Sequence, residues 1–371
     1  MLPVFVLLCL IAVLRLALLL RQRAVLTDEA YARGLVTQRV GQQLWQQGWP
    51  LLLVALAPFV AQAGGLAPSV LALVLLVALG WLWELPPKIV KVFGLDAAHG
   101  MNRMTVAAFA REQALKLVLL VVLAVPGATV ALALIERSGD HWWLPAWAVG
   151  WSGWGVLRWA QPQWITPLFD RVEPLPAGDL RQRLERLLLR CGVVEPRLYL
   201  VRASARSAQA NAQVTGGIGA PRIVLSDTLI DKLPPDEVEA VVAHELGHLQ
   251  RGHLRFQVLM LGAAWLLLMA VAGMATNEIG DPVTRLAMAW ALLPSLWFFA
   301  QPLVNHFYRR FEFEADASAA ENASGHALAR ALRTLTRNNR NAPVADRWYE
   351  RVYHTHPATS ERLRLLDQAS H

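Results

Sequence analysis

The sequence predicts a mostly α-helical, polytopic membrane protein with about seven transmembrane helices and a cytoplasmic α+β domain. Three observations predict this fold class. Hydrophobic residues make up 55% of the 371 residues and charged residues 17%, whereas soluble domains carry about a quarter charged residues. Apolar segments long enough to cross a bilayer recur along the chain. A polar region between two of them contains His244-Glu245-Leu246-Gly247-His248, which places two histidines on one face of a helix.

Seven apolar segments are the predicted spans. We expect the first to be a retained helix, because it has no basic start and no small-residue cleavage site. The second and third form a hairpin, and tryptophans mark both ends of the fifth, as is typical of membrane interfaces. The spans are residues 2–20, 49–62, 69–83, 114–135, 142–160, 256–275 and 283–306.

The basic residues alternate with the spans. The segments after spans one, three, five and seven are rich in Lys and Arg, whereas those after spans two, four and six hold almost none. The positive-inside rule then predicts an external amino terminus and a cytoplasmic domain around the histidine pair. This placement in the lipid bilayer explains the net charge of +7 without nucleic acid, for which no recognition motif exists. The Arg- and Ala-rich composition favours a bacterial source and hence the inner membrane.

The expected organisation has four parts. They are an N-terminal transmembrane domain with five spans at 1–164, a first catalytic part at 165–255, spans six and seven at 256–306, and a second catalytic part at 307–371. The first catalytic part is predicted to contain an amphipathic helix and three strands. These elements are expected at 179–191, 197–201, 211–215 and 222–225. Cys9 and Cys191 lack metal spacing and predict neither a disulfide nor a cysteine metal site.

The histidine motif has the chemistry of a catalytic zinc site. His244 and His248 lie four residues apart, so both imidazoles can reach one Zn²⁺ if the segment is helical. The acidic start at Asp236 and Glu237 favours a helix. Glu245 follows the first histidine and can act as general base towards a water molecule. Such a motif also arises by chance, so its context must supply a further ligand.

A second segment just past span seven offers that ligand. Glu312 and Asp316 lie four residues apart and therefore share a helix face. We predict that Glu312 is the third zinc ligand and that Asp316 accepts a hydrogen bond from a ligand histidine. Without the histidine motif, both carboxylates would be interpreted as surface charges. Glu314 is expected to point to solvent, and His253 is expected to lie off the metal face, near the interface.

Beyond these motifs, the chain resembles the type I CAAX prenyl endopeptidases, which are integral-membrane zinc metalloproteases of the gluzincin kind. The segments that carry the resemblance are 93–105, 165–176, Asn211-Ala212 with 222–229, and His356-Pro357 with Glu361-Arg362. It covers most of the chain from about residue 85 onward. The resemblance implies a hollow helical barrel of seven helices, capped on the cytoplasmic side by a zincin domain.

The resemblance also implies roles for four further residues. His356 and Arg362 are expected to face the oxyanion that develops on the scissile carbonyl. Asn211 and Ala212 are expected to bind the substrate backbone, and an exposed strand there could accept a peptide by edge addition.

The predicted function is that of a zinc-dependent membrane endopeptidase with one Zn²⁺ per chain. Its expected partner is a peptide or membrane-anchored protein substrate, with or without a prenyl group, and the chain is expected to be a monomer. Two alternatives stay open at this point. One is an HtpX-like protease for membrane-protein quality control. The other is a non-catalytic membrane protein with a structural zinc site, which the three-ligand set disfavours because structural sites usually have four protein ligands.

Overall fold

The computed structural model describes residues 2–26, 30–61, 64–195, 197–215, 221–340, 342 and 344–369. The chain is mostly helical, as predicted. The helices of the N-terminal half are α1 (Leu2–Val25), α2 (Ala30–Gln46), α3 (Gly48–Ala61), α4 (Leu66–Trp83), α5 (Leu85–Ile89), α6 (Val106–Ser138), α7 (Trp143–Ala160) and α8 (Thr166–Phe169). The later helices are α9 (Asp179–Arg190), α10 (Asp227–Lys232), α11 (Pro235–Gln250), α12 (His253–Thr276), α13 (Pro282–Asn322), α14 (Gly325–Asn338), α15 (Arg347–Tyr353) and α16 (Thr359–Ala369). The strands are β1 (Val172–Pro174), β2 (Arg197–Val201), β3 (Ala212–Thr215) and β4 (Arg222–Ser226).

Each predicted span coincides with a helix, namely α1, α3, α4, α6, α7, α12 and α13. Within the described residues, four helical stretches are long and apolar enough to cross a membrane by length and composition alone. They are Leu66–Asp96, Val106–His141, His253–Thr276 and Pro282–Asn322. The polytopic character predicted from the sequence therefore has direct support in the helices. Apolar side chains such as Leu259 and Leu303 remain largely exposed on these helices, as a lipid-facing surface requires.

Helix α13 connects the apolar region to the metal motif. It runs without interruption for 41 residues, and its start is capped by Asp281, whose carboxylate accepts a hydrogen bond from the Thr284 backbone N–H at 2.6 Å. At 1.5 Å per residue the helix is about 60 Å long, roughly twice the hydrocarbon thickness of a bilayer. Its final third, which carries Glu312 and Asp316, therefore extends beyond the apolar layer.

The sheet has four strands in the order β1-β2-β4-β3. Strands β2 and β4 are parallel, and both outer strands pair antiparallel with their neighbours. Strands β2, β3 and β4 agree with the sequence prediction to within one residue at each end, whereas β1 has only three residues, ends in proline and was not predicted. Strand β3 lies at the edge of the sheet, so one side of its backbone has no partner among the described strands.

A buried core fixes α11 against the sheet. Leu184, Leu225, Val238, Val242 and Leu246 are each at most 1% exposed and belong to one hydrophobic cluster. The cluster joins α9, β4 and α11, so the helix that carries the histidine motif is held on two sides by packing. The motif helix predicted from the sequence is thus present from Pro235 to Gln250.

Candidate metal centre

Three side chains from two helices converge at one point. Helix α11 supplies His244 and His248, and α13 supplies Glu312. The Nε2 atoms of the two histidines are 3.3 Å apart, and they lie 3.6 Å and 3.4 Å from the Glu312 carboxylate oxygens. Among the described residues, this is the only group of three or more His, Cys, Asp or Glu ligand atoms close enough to hold one metal ion.

The chemistry of these donors fits a cation. The Nδ1 atoms of His244 and His248 lie within 3.0 Å of polar atoms of Asp316 and His253. If those contacts use the Nδ1 protons, each Nε2 carries a lone pair, and both lone pairs face the Glu312 carboxylate. Two imidazole lone pairs that face a buried carboxylate are costly unless a cation lies between them.

Asp316 and Arg362 stand behind His244. The Nδ1 of His244 is 2.9 Å from Asp316 Oδ1, and Arg362 donates two hydrogen bonds of 2.8 Å and 2.6 Å to the same carboxylate. The Nη1 atom of Arg362 also lies 3.1 Å from Glu312 Oε2. Burial disfavours the charge on Arg362, but the bonds to Asp316 outweigh it and raise the pKa of the guanidinium. Arg362 is therefore a permanent cation between two buried carboxylates.

His253 contacts His248, and Glu314 contacts His253. The sequence did not predict either contact. His253 Nδ1 is 3.0 Å from His248 Nδ1, and His253 Nε2 is 3.0 Å from Glu314 Oε2. His253, which was expected at the membrane interface, is only 2% exposed. Glu314, which was expected to point to solvent, contacts His253 instead. The reason is a break at Gly252, whose φ of 70° ends the helical path and turns His253 back towards His248.

His356 lies at the exposed side of the group. Its Nδ1 atom is 2.8 Å from Glu312 Oε2, and its side chain is 66% exposed. The hydrogen bond to Glu312 raises the pKa of His356, so the ring tends to carry a proton. His354, two residues earlier, is in a different environment, since burial lowers its pKa to about 4. Only His356 of this pair is a candidate proton or hydrogen-bond donor at the site.

Glu245 projects between the motif helix and the edge strand. Burial raises the pKa of its carboxyl group against the opposing effect of His244, His248 and the nearby backbone of Val214 on β3. A carboxylate with a raised pKa is a better proton acceptor near neutral pH. The proximity of Val214 also shows that β3 passes directly beside the catalytic motif.

Asn211 and Ala212 lie at the start of this edge strand. The backbone N–H of Asn211 donates to Ser226 Oγ at 2.9 Å, and its carbonyl accepts from the Ser226 N–H at 3.0 Å. The Asn211 side chain is exposed, whereas Ala212 packs partly against the core. Neither residue has a described contact with the three converging side chains. The structure places them at the start of the strand whose Val214 lies near Glu245.

Gly247 sets the distance between the two helices that carry the donors. A Cβ atom there would lie 2.9 Å from Ser318 Cβ and 3.1 Å from Ala315 Cα, closer than packed carbon atoms normally approach. Ala315 belongs to the backbone of α13 and cannot rotate away. The absence of a side chain at Gly247 is therefore a condition for bringing the histidines to Glu312.

We expect Gly247→Ala to weaken metal binding and to destabilise the protein by about 1–3 kcal/mol, because the new methyl group forces α13 away from α11. Thermal unfolding and a zinc competition assay measure both effects. Gly41→Ala is the matched control, since a Cβ atom at Gly41 meets nothing within 4 Å. Unchanged stability and zinc affinity in Gly247→Ala would contradict the packing argument.

Two family models match the chain. Residues 174–370 match Peptidase family M48, and residues 33–171 match the CAAX prenyl protease N-terminal region with five membrane helices. The chain belongs to peptidase family M48. The M48 model covers more than half of the chain and includes the whole candidate metal centre, and the N-terminal model covers most of the rest.

Individual relatives of this M48 protein agree with the family models. It is 30% identical over 306 residues to an Arabidopsis thaliana CAAX prenyl protease 1 homolog, covering 76% of this chain and 70% of the relative. It is 26% identical over 358 residues to CAAX prenyl protease 1 of Saccharomyces cerevisiae, covering 88% and 78%. The crystal structure of S. mikatae Ste24p superposes with a TM-score of 0.86 at 23% identity, covering 98% of this chain and 99% of that one. The fold is therefore shared over nearly the whole chain.

These findings confirm the predicted family and class. The protein is a multi-pass membrane zinc metallopeptidase of the CAAX prenyl protease type. The N-terminal model and the named relatives favour the CAAX prenyl protease type over the HtpX-like alternative, and the match to a peptidase family favours an enzyme over a non-catalytic zinc protein.

Proposed function

We propose that this protein binds one Zn²⁺ through His244, His248 and Glu312 and hydrolyses a peptide bond near the C-terminus of a membrane-anchored, prenylated chain. The observation that supports the metal assignment most directly is the convergence of two imidazoles and one carboxylate from α11 and α13. The names of the relatives support the substrate class, since they are CAAX prenyl proteases.

The residues around the donors divide the chemistry between them. When bound, zinc would supply Lewis acidity that lowers the pKa of water and polarises a carbonyl group. Glu245 accepts the proton of the attacking water and delivers it to the leaving amine. His356, exposed and inclined to hold a proton, donates a hydrogen bond to the carbonyl oxygen as negative charge develops there. Arg362 is buried and bonded to both carboxylates, so we assign it to holding Glu312 and Asp316 in place and not to the oxyanion, the role that the resemblance implies.

The edge strand positions the substrate. The outer edge of β3 offers backbone hydrogen bonds to an extended peptide, with Asn211 and Ala212 at its start and Glu245 beside Val214. A peptide added along this edge passes next to the proton acceptor. Residues Asn211 and Ala212 are therefore proposed to bind the substrate backbone.

The proposed location is the cytoplasmic side of a bacterial inner membrane, with the protein acting as a monomer. The alternation of basic segments along the chain supports this orientation. The length of α13 supports a metal centre close to the membrane boundary, because Glu312 lies on the part that extends beyond the apolar layer. A substrate held in the bilayer by a lipid can reach such a position.

Removal of the metal tests the proposal. We expect the purified protein to cleave a farnesylated CAAX peptide, to lose this activity with a strong chelator, and to recover it with one equivalent of Zn²⁺. The same peptide without the farnesyl group and an unmodified misfolded membrane protein are the comparison substrates. A preference for the misfolded protein would overturn the proposed substrate class, and chelator-resistant cleavage would overturn the metal assignment.

A further inference from the structure

We propose that His253 and Glu314 are positioning residues that orient His248 for metal binding, as Asp316 does directly for His244. The proposal rests on the metal site of the proposed function and extends it to two residues outside the donor group. A continuous line of contacts carries it: His248 Nδ1 to His253 Nδ1 at 3.0 Å, then His253 Nε2 to Glu314 Oε2 at 3.0 Å.

The line of contacts fixes where each ring proton lies. Glu314 can only accept, so His253 Nε2 must carry a proton and donate it to the carboxylate. In a neutral His253, the Nδ1 atom is then an acceptor and takes the Nδ1 proton of His248. That arrangement leaves the lone pair of His248 Nε2 facing His244 Nε2 and Glu312. A histidine ligand that donates its other N–H to a carboxylate-backed partner is held in one tautomer and one ring orientation.

Packing holds His253 at this position. Its imidazole stacks on Phe311 with ring centroids 4.2 Å apart and an interplanar angle of 14°. The side chain is 3% exposed, so water does not compete effectively for its two ring nitrogens. Glu314 is held from the far side by Arg310, whose Nε donates to Glu314 Oε1 at 2.8 Å. Each member of the line is therefore fixed by a contact of its own.

Three carboxylates within about one turn of α13 thereby contact either the metal site or the histidines that form it. Glu312 is the proposed ligand, Asp316 accepts from His244, and Glu314 acts on His248 through His253. Glu314 lies about 200° around the helix from Glu312, so it cannot reach His248 without an intermediary. The imidazole of His253 bridges that gap because the break at Gly252 turns it towards α13.

The test uses zinc affinity and a spectroscopic readout in addition to activity. His253→Phe retains the ring on Phe311 but removes both hydrogen bonds. We expect it to lower zinc affinity by about 10- to 100-fold, as measured by competition with a chromogenic chelator. We also expect the visible absorption bands of the Co²⁺-substituted protein to shift, because the imidazole of His248 loses its fixed orientation. Peptidase activity of the fully metal-loaded enzyme is measured separately.

Three further variants separate positioning from folding. His253→Gln carries an amide that can accept from His248 and donate to Glu314, and it should restore most of the zinc affinity. Glu314→Gln keeps an acceptor without the charge and should cause a smaller loss than His253→Phe. His306→Phe makes the same chemical change at an exposed position of α13 and should leave zinc affinity unchanged. The thermal stability of the metal-free variants checks that they fold.

The outcomes are distinct. Wild-type zinc affinity and an unshifted Co²⁺ spectrum in His253→Phe would overturn the proposal. If His253→Phe does not fold, unchanged affinity and spectrum in Glu314→Gln overturn it, and a loss in Glu314→Gln supports it. A wild-type protein that binds zinc but cleaves no peptide would refute the proposed function and leave this comparison of affinities valid.

Discussion

Replacing Glu245 by glutamine is expected to lower kcat/KM for peptide hydrolysis by about 10²- to 10⁴-fold, the usual contribution of a general base. The glutamine amide can occupy the same space as the carboxylate, but it cannot take a proton from water. Zinc content should not change, since Glu245 is not among the three converging donor groups. Steady-state kinetics and metal analysis on the same preparation measure both quantities.

The control for this variant is Glu321→Gln, which makes the identical change at an exposed position of α13. It should show wild-type kinetics. Retained turnover in Glu245→Gln would refute the role of Glu245 as proton acceptor. Loss of zinc in that variant would show instead that the carboxylate supports the metal site.

Replacing Arg362 by glutamine is expected to cost about 3–5 kcal/mol of stability, because it leaves buried carboxylates without their cation. Arg362 is 7% exposed and contacts both Asp316 and Glu312. We also expect weaker zinc binding, since Asp316 would no longer be held against His244. Denaturant unfolding in detergent and zinc competition measure the two effects.

The neighbouring Arg364 provides the control. It lies exposed on the same helix, so Arg364→Gln should change stability by less than about 0.5 kcal/mol. Arg362→Lys keeps the charge but not the fork of donors that engages two carboxylates, and should give an intermediate loss. Equal stability of Arg362→Gln and Arg364→Gln would show that the buried guanidinium does not compensate Asp316 and Glu312.

The spans and the motif helices could be predicted because each depends on a local pattern. Long apolar runs predicted seven helices that are all present, and four of the helical stretches are long and apolar enough to cross a membrane. The four-residue spacings placed His244 with His248 and Glu312 with Asp316 on their helix faces. The family resemblance was confirmed by the family models. These features need only helical periodicity and the chemistry of side chains at fixed intervals.

The parts that were missed depend on contacts between distant segments. Strand β1 is three residues long and has little pattern of its own, so only its pairing with β2 defines it. His253 was misplaced because a continuous helix would carry it about 140° away from His248. Gly252 was the available signal, since glycine often ends a helix in a left-handed conformation. The position of Arg362 between two carboxylates likewise depends on tertiary packing and cannot be predicted from the spacing of nearby residues.

The uninterrupted length of α13 makes the catalytic geometry responsive to the membrane. About 27 Å of helix separate Pro294 from Glu312, so a change of tilt by only about 2° displaces the carboxylate by about 1 Å when the helix keeps its direction through Pro302. A displacement of that size can change a reaction rate by about two orders of magnitude. Helix α12, by contrast, is separated from α11 by the break at Gly252 and transmits less of its tilt to the histidines. Because hydrophobic mismatch is one influence on helix tilt, we expect the peptidase activity to depend on the thickness of the bilayer.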